Sequence, residues 1–263
     1  MFRISIGPFT TEVLLSPTDR EKEIRDVFSG FLTENSPDII LFADLIDDLN
    51  NFRYDGIAPA IRFSNNLYKI RWHYFDGTFD LKKCVVKARI NSRTYVLSSL
   101  LRIIYALKAT FSNGLFIHAA SFIKDGEAYL FPAKSGTGKS TMARIASQSY
   151  SSIEILSDEI SYITLEQRKV FAYSTPFWGN TKIKGRYKKA PLKKIYFLKQ
   201  SRRDFKRGLT FNDAVKHMME NVLYAAVDLE SFDNLLLTIQ KILPRTENNI
   251  LYFTKSPKFL EVI

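Results

Sequence analysis

The chain has 263 residues, 46% hydrophobic and 25% charged, with 38 Lys+Arg against 27 Asp+Glu and a formal net charge of +11. That length and apolar content suffices for one large domain or two modest ones with a buried core, and it excludes disorder, collagen and coiled coil as the main state. The single cysteine, Cys84, excludes an internal disulfide and a Cys-rich zinc site, so a reducing cytosol fits best.

The N-terminal run Met1-Phe2-Arg3-Ile4-Ser5-Ile6-Gly7-Pro8 has no signal-peptide apolar region. The longest stretch free of Lys, Arg, Asp and Glu, Ala109 to Ile123, is interrupted by Ser112, Asn113 and His118. A cytoplasmic protein with no membrane span is expected. Ile4-Ser5-Ile6 and Glu12-Val13-Leu14-Leu15 read as strands, and Asp19 to Asp55 as an acidic, helix-prone or irregular stretch. Ile61 to Tyr74 and Thr78 to Asn91 alternate apolar and polar residues around Asp76-Gly77, a hairpin signal. Residues 1–95 therefore read as a small β-rich N-terminal portion. Leu97 to Phe111 has helical spacing and joins it to a second portion, 96–263.

In that second portion Leu115 to Ile123 and Ala128 to Phe131 are strands on either side of the turn Lys124-Asp125-Gly126-Glu127. A glycine-bearing loop follows, then a helix over Met142 to Ser147 and a strand, Ile153 to Leu156, that ends at Ser157-Asp158-Glu159. Strand, loop, helix, strand is the arrangement that a phosphate site needs. Ile160 to Thr164 and Val170 to Tyr173 suggest antiparallel strands, Ile195 to Leu198 a buried strand, and Phe211 to Leu243 two helices broken near Asp228.

The segment Lys182 to Arg207 holds twelve basic residues and one acid, Asp204, and so carries the whole +11 excess. A focused positive field concentrates anionic partners, an acidic peptide, protein or phosphorylated small molecule among them. The plainer reading is a solvated loop leading into the polar face of a strand. No recognition helix, RNA-binding strand or zinc finger accompanies the charge, so specific nucleic-acid binding is not expected.

Ala133-Lys134-Ser135-Gly136-Thr137-Gly138-Lys139-Ser140 fits the phosphate-loop pattern with Ala in the opening Gly position. Gly136 and Gly138 let successive N–H groups turn inward at a helix N-terminus, Lys139 neutralises β/γ-phosphate charge, and the Ser140 hydroxyl reaches a bridging Mg²⁺. Ser135, Gly136, Thr137, Gly138, Lys139, Ser140 and Thr141 are the expected ATP-binding set. Asp158 and Glu159 close the strand after the loop helix, where one carboxylate can hold Mg²⁺ with Ser140 and the other accept a substrate proton. Asp158 as a turn cap is the structural alternative. His118, on the strand before the hairpin turn, is either a catalytic neighbour of the phosphates or a core histidine.

Gly114-Leu115-Phe116-Ile117-His118-Ala119-Ala120, the Asp125-Gly126 hairpin, the phosphate loop and Leu156-Ser157-Asp158-Glu159 together resemble the C-terminal catalytic domain of HPr kinase/phosphorylase. Related bacterial serine kinases show runs similar to Ser174-Thr175-Pro176-Phe177-Trp178-Gly179 and to Ala190 through Leu198. The resemblance covers about Leu97 to Ile263. It implies an α/β, mixed-sheet fold like phosphoenolpyruvate carboxykinase, with Lys139 on the phosphates, Ser140 on the metal and Asp158 as the base. Glu159 stands where the family commonly has a second Asp. The acidic Arg-Gly signature of the enzyme that modifies HPr is missing, with Pro176-Phe177-Trp178-Gly179 near its place, so HPr recognition and phosphorolysis are not carried over. HPr kinases assemble into hexamers through this domain; no residue here transfers that property, and a homo-oligomer stays open.

An ATP- and Mg²⁺-dependent kinase acting on a hydroxyl is therefore the leading expectation. A nucleotide-dependent switch or ATPase is less well supported, since the Asn-Lys-x-Asp and Ser-Gly-Gly-Gln signatures are absent. A non-catalytic nucleotide-binding module whose basic face docks a partner is the third reading.

Overall fold

Apolar side chains at every second position build the first of two mixed sheets in the computed structural model, which describes residues 1–179, 185–223 and 228–263. Lys182 and Lys184 of the basic segment lie outside the described residues. The chain divides into two units, Met1–Lys108 with Ala225–Ser231, and Ala109–Tyr224 with Phe232–Ile263.

The first unit holds β1 (Phe2–Ile6), β2 (Phe9–Ser16), α1 (Glu21–Val27), β3 (Ile39–Ile46), β4 (Ala60–Ser64), β5 (Leu67–Trp72), β6 (Phe75–Asp80) and β7 (Val85–Asn91). Its strand order is β1-β2-β3-β7-β6-β5-β4, with β3 parallel to both β2 and β7. Helix α2 (Thr94–Ala109) buries Leu97, Leu100, Leu101 and Ile104, and the hydroxyl of its Tyr105 shares a 2.5 Å hydrogen bond with Thr11 of β2.

Two expectations for this unit are corrected. The Asp19–Asp55 stretch is not merely helical or irregular, because β3 runs through it as an inner strand. Ile39, Leu41, Ala43 and Leu45 face inward at period two, a pattern that the surrounding acids obscure. Asp76-Gly77 is not a turn but lies inside β6, where Asp76 pairs with Arg89 of β7 at 2.6 Å. The turn between β5 and β6 falls instead at His73 and Tyr74, between the paired Trp72 and Phe75, and a further tight turn at Asn65 and Asn66, with left-handed φ of 51° and 62°, joins β4 to β5. Gly77 is needed for close approach rather than for turning: a Cβ there would lie 2.6 Å from the Lys87 carbonyl oxygen. Gly77→Ala should therefore cost about 1–3 kcal/mol, read as a lower urea midpoint with unchanged slope; an unchanged midpoint would mean that β6 and β7 have room to separate.

The second unit contains β8 (Gly114–Lys124), β9 (Glu127–Pro132), α3 (Lys139–Ser149), β10 (Glu154–Ser157), β11 (Ile160–Glu166), β12 (Lys169–Tyr173), β13 (Lys189–Gln200), β14 (Phe205–Gly208), α4 (Phe211–Met219), α5 (Leu229–Ile242) and β15 (Glu247–Phe253). The sheet order is β10-β8-β11-β12-β13-β15-β14, with β9 paired to β8 and β13. Pairings of β13 with β9 and β15 are parallel, and the others antiparallel. Ile195 and Phe197 of β13 pack in one core with Met218 of α4 and Ile239 of α5, while Tyr196 packs in the other with Met142 and Ala146 of α3. Burial on both faces is why Ile195–Leu198 reads as an unbroken apolar run. Both units are thus mixed α/β. Among the described residues no helix is long and apolar enough to cross a membrane.

The basic segment does not form one surface, because a strand sends successive side chains to opposite faces. Lys188 pairs with Glu154, and Lys189 pairs with Glu166 at 2.9 Å. Lys194 lies over the Tyr129 ring at 5.4 Å and Lys199 over Tyr252 at 5.5 Å.

Candidate functional site

Strand β9 carries the chain from an inner position of the sheet into the loop 133–138, and α3 begins at Lys139. Gly136 (φ 81°) and Gly138 (φ 107°) take left-handed backbone angles that side chains rarely adopt. The first turn of α3 leaves N–H groups without intrahelical partners, and the helix dipole adds partial positive charge there. The Lys139 ammonium donates to the carbonyls of Ala133 (2.8 Å) and Lys134 (3.0 Å), clasping the loop from within. From β13, Gln200 Nε2 donates to the Thr137 carbonyl at 3.0 Å.

The carboxylates are placed by a tight turn between β10 and β11. Ser157 Oγ donates to the Ile160 carbonyl at 2.7 Å and accepts from the Ile160 N–H at 3.1 Å, and the Ala119 N–H holds the Glu159 carbonyl at 2.9 Å. Asp158 is only 1% exposed, and its Oδ1 accepts the Gly179 N–H at 2.9 Å. The run 174–179 is fixed for that contact. Ser174 Oγ donates to the Arg186 carbonyl at 2.7 Å, Thr175 Oγ1 donates to the Ile160 carbonyl, and Phe177 is fully buried.

These elements enclose a cavity of about 580 Å³. Ser135, Gly136, Gly138, Lys139, Ser140 and Thr141 line it, opposite His118, Asp158 and Glu159. Half-buried His118 faces this cavity from β8, so it is not a core histidine. Thr137 of the expected set lies apart: its side of the loop lines a second cavity with Lys134. Arg144, Trp178, Gly179, Gln200 and Lys255 also line the first cavity, and the sequence reading did not assign them to the site. Arg144 was within reach of it, one helical turn beyond Ser140; Gln200 and Lys255 arrive through the pairing of β13 with β15, which leaves no local signal.

Burial lowers the Lys139 pKa to about 8, with the Glu159 charge partly opposing the shift. A buried cation at the base of an N–H-lined loop is arranged to receive an anion. Ser140 Oγ lies 3.5 Å from the Asp158 carbonyl oxygen. Its hydroxyl with the two carboxylates is a set of hard oxygen donors that fits Mg²⁺. Among the described residues no three His, Cys, Asp or Glu side chains cluster as a metal site.

A solved structure described as the Hpr(Ser) kinase/phosphatase from Coxiella burnetii is similar to this chain at 11% identity and a TM-score of 0.30, covering 48% of this chain and 95% of that one. None of the curated proteins compared with the chain matches it. Residues 83–255, well over half of the chain and including every loop, carboxylate and β8 residue of the cavity, match the family model of SynChlorMet cassette protein ScmC, and the chain belongs to the ScmC family.

Proposed function

We propose that this chain is a kinase that transfers the γ-phosphate of ATP, with Mg²⁺, to a hydroxyl, seryl in the first instance, of a peptide, small protein or metabolite. The observation that carries this reading is the meeting, in one cavity, of the glycine loop with its buried lysine and of a buried carboxylate oriented by a backbone N–H. The second unit is then a phosphoenolpyruvate carboxykinase-like domain, supported by its mixed sheet and by the β8–β9 hairpin that feeds the loop. The single Cys84 is in keeping with a reducing cytosol.

On this reading the N–H groups around Gly136 to Thr141 cradle the β- and γ-phosphates, and Lys139 offsets their charge. Asp158 takes the proton from the acceptor hydroxyl as the hydroxyl oxygen bonds to the γ-phosphorus, the bond between the γ-phosphorus and the β,γ-bridging oxygen breaks, and ADP leaves with that oxygen on its β-phosphate. Ser140, Asp158 and Glu159 would hold Mg²⁺, which supplies charge neutralisation between the β- and γ-phosphates. His118 stands beside the reacting groups from β8. Most of the acceleration comes from positioning and charge complementarity, so no further reactive group is required.

Two measurements test the reading. Purified protein with γ-labelled ATP and Mg²⁺ should move label to a discrete acceptor in host peptide or metabolite fractions. If ATP binds but label never leaves it, the nucleotide-switch reading replaces the kinase. The second measurement is pH-dependent. Lys139, with a pKa near 8 in the free protein, must be charged to bind polyphosphate, so binding raises its pKa and takes up a proton once the pH exceeds that value. Triphosphate affinity should hold below pH 8 and fall about tenfold by pH 9. Calorimetry in buffers of different ionisation enthalpy would show the uptake; affinity flat to pH 10 would place the phosphates away from Lys139.

A further inference from the structure

Outside the phosphate cavity the most distinctive feature of the second unit is the edge of its sheet at β14. Among the described residues β14 pairs with β15 alone, and all four of its residues, Phe205, Lys206, Arg207 and Gly208, are exposed. An open edge of this kind offers unused backbone donors and acceptors to another extended chain. The strand is held firmly at both ends. Asp204 accepts hydrogen bonds from the Thr254 N–H (2.7 Å) and hydroxyl (2.8 Å), and the Leu209 N–H donates to the Asn248 carbonyl at 3.1 Å. Little ordering cost therefore falls on this side of the contact, and the cost of binding is that of ordering the partner segment.

The side chains at this edge state what it would accept. Register puts Lys199, Tyr252 and Phe205 in one row across β13, β15 and β14, and Phe197, Ile250 and Arg207 in the next. Phe205, 45% exposed, stacks on Tyr252 at 4.3 Å, and Lys199 lies over the same ring. Arg207 and Lys199 line a cavity of about 380 Å³ with Lys134 and His217, against one carboxylate, Glu220. Lys206 points to the opposite face, over Tyr196 and 4.0 Å from Glu247. Arg202 and Arg203 precede the strand.

We infer that β14 is a docking edge for an acidic, extended segment of a partner protein, which adds to the sheet as a further strand. Alternation fixes the pattern: an apolar residue beside Phe205, then acidic residues beside Lys206 and Arg207, the acid on the Arg207 side reaching the mouth of the cavity. Single-stranded nucleic acid fits less well. It needs successive free aromatic faces, and Tyr252 is covered by Phe205 and Lys199. The inference does not depend on phosphate transfer, since neither Lys139 nor Asp158 lines the cavity beside Arg207, and the edge would serve an acceptor or a docking partner alike.

The test is fluorescence anisotropy with a labelled octapeptide containing Val-Glu-Glu within a Gly/Ser frame, against the full chain. Three results are expected. Arg207→Glu weakens binding at least tenfold, methylation of alternate peptide nitrogens does the same, and the amides of 205–208 exchange more slowly with peptide bound. Asp158→Asn, at a residue that does not line the cavity beside Arg207, should leave peptide binding unchanged. Equal binding of the N-methylated peptide, competition by succinate at the same concentration as peptide, tighter binding of oligothymidylate, or no binding at all would each overturn the proposal.

Discussion

Asp158→Asn should lower the rate of phosphate transfer about 10²–10⁴-fold, while nucleotide affinity stays within about threefold of wild type. The substitution keeps shape and removes charge. Asp158 is 1% exposed, and an asparagine oxygen can accept the Gly179 N–H as the carboxylate Oδ1 does at 2.9 Å, so the turn between β10 and β11 is preserved. What is lost is the group able to take a proton from the acceptor hydroxyl. Glu159 remains on the cavity wall but is carried by the neighbouring backbone position, and the Ser157 hydrogen bonds that fix the turn prevent one carboxylate from replacing the other. Single-turnover transfer from labelled ATP separates the outcomes: a slow chemical step with intact binding makes Asp158 the base. An unchanged rate would make it a turn cap and assign proton removal to another group. Gly179→Ala should reproduce part of the defect, since a Cβ there would sit 3.1 Å from Asp158 Oδ2 and push the carboxylate aside.

The parts of this site that could be read in the sequence are those held by short-range geometry. The loop, its helix and the carboxylates at the end of the next strand are contiguous along the chain, and glycine at 136 and 138 has a local reason, positive φ. Trp178 and Gly179 were visible as part of a motif but not as neighbours of Asp158, because their place depends on Thr175 bonding to the Ile160 carbonyl across the sheet. Gln200 and Lys255 come from the far ends of β13 and the chain beyond β15, joined only by parallel pairing. The basic run misled in a similar way. Twelve cations in 26 positions suggest one field, yet β13 is an inner strand, and alternation together with the Lys188–Glu154 and Lys189–Glu166 pairs divides them among faces. In the first unit Asp76-Gly77 has turn composition but serves cross-strand contact, its aspartate pairing with Arg89 and its glycine making room for the Lys87 carbonyl. Composition records what a residue can do; pairing decides which of those properties is used.

Lys139→Met should weaken triphosphate binding about 100-fold and reduce transfer about 1,000-fold, with thermal stability unchanged or slightly raised. The two halves of this expectation have different causes. Lys139 is 6% exposed, and burial lowers its pKa to about 8, which means that its charge is held at a cost in the free protein. Replacing it with an apolar side chain of similar length removes that cost, while the carbonyls of Ala133 and Lys134 lose their donor; the two effects oppose one another. No such compensation exists once polyphosphate is bound, when the ammonium faces charge that the loop N–H groups only partly offset. A variant that is stable yet fails to bind would assign Lys139 to the ligand. A variant that unfolds would make the lysine a clasp of the loop, and one that binds triphosphate normally would remove the glycine loop from the site. Lys139→Arg gives the discriminating control: it keeps the charge but cannot fit a planar guanidinium between the two carbonyls, so it should bind no better than Lys139→Met if geometry as well as charge is required.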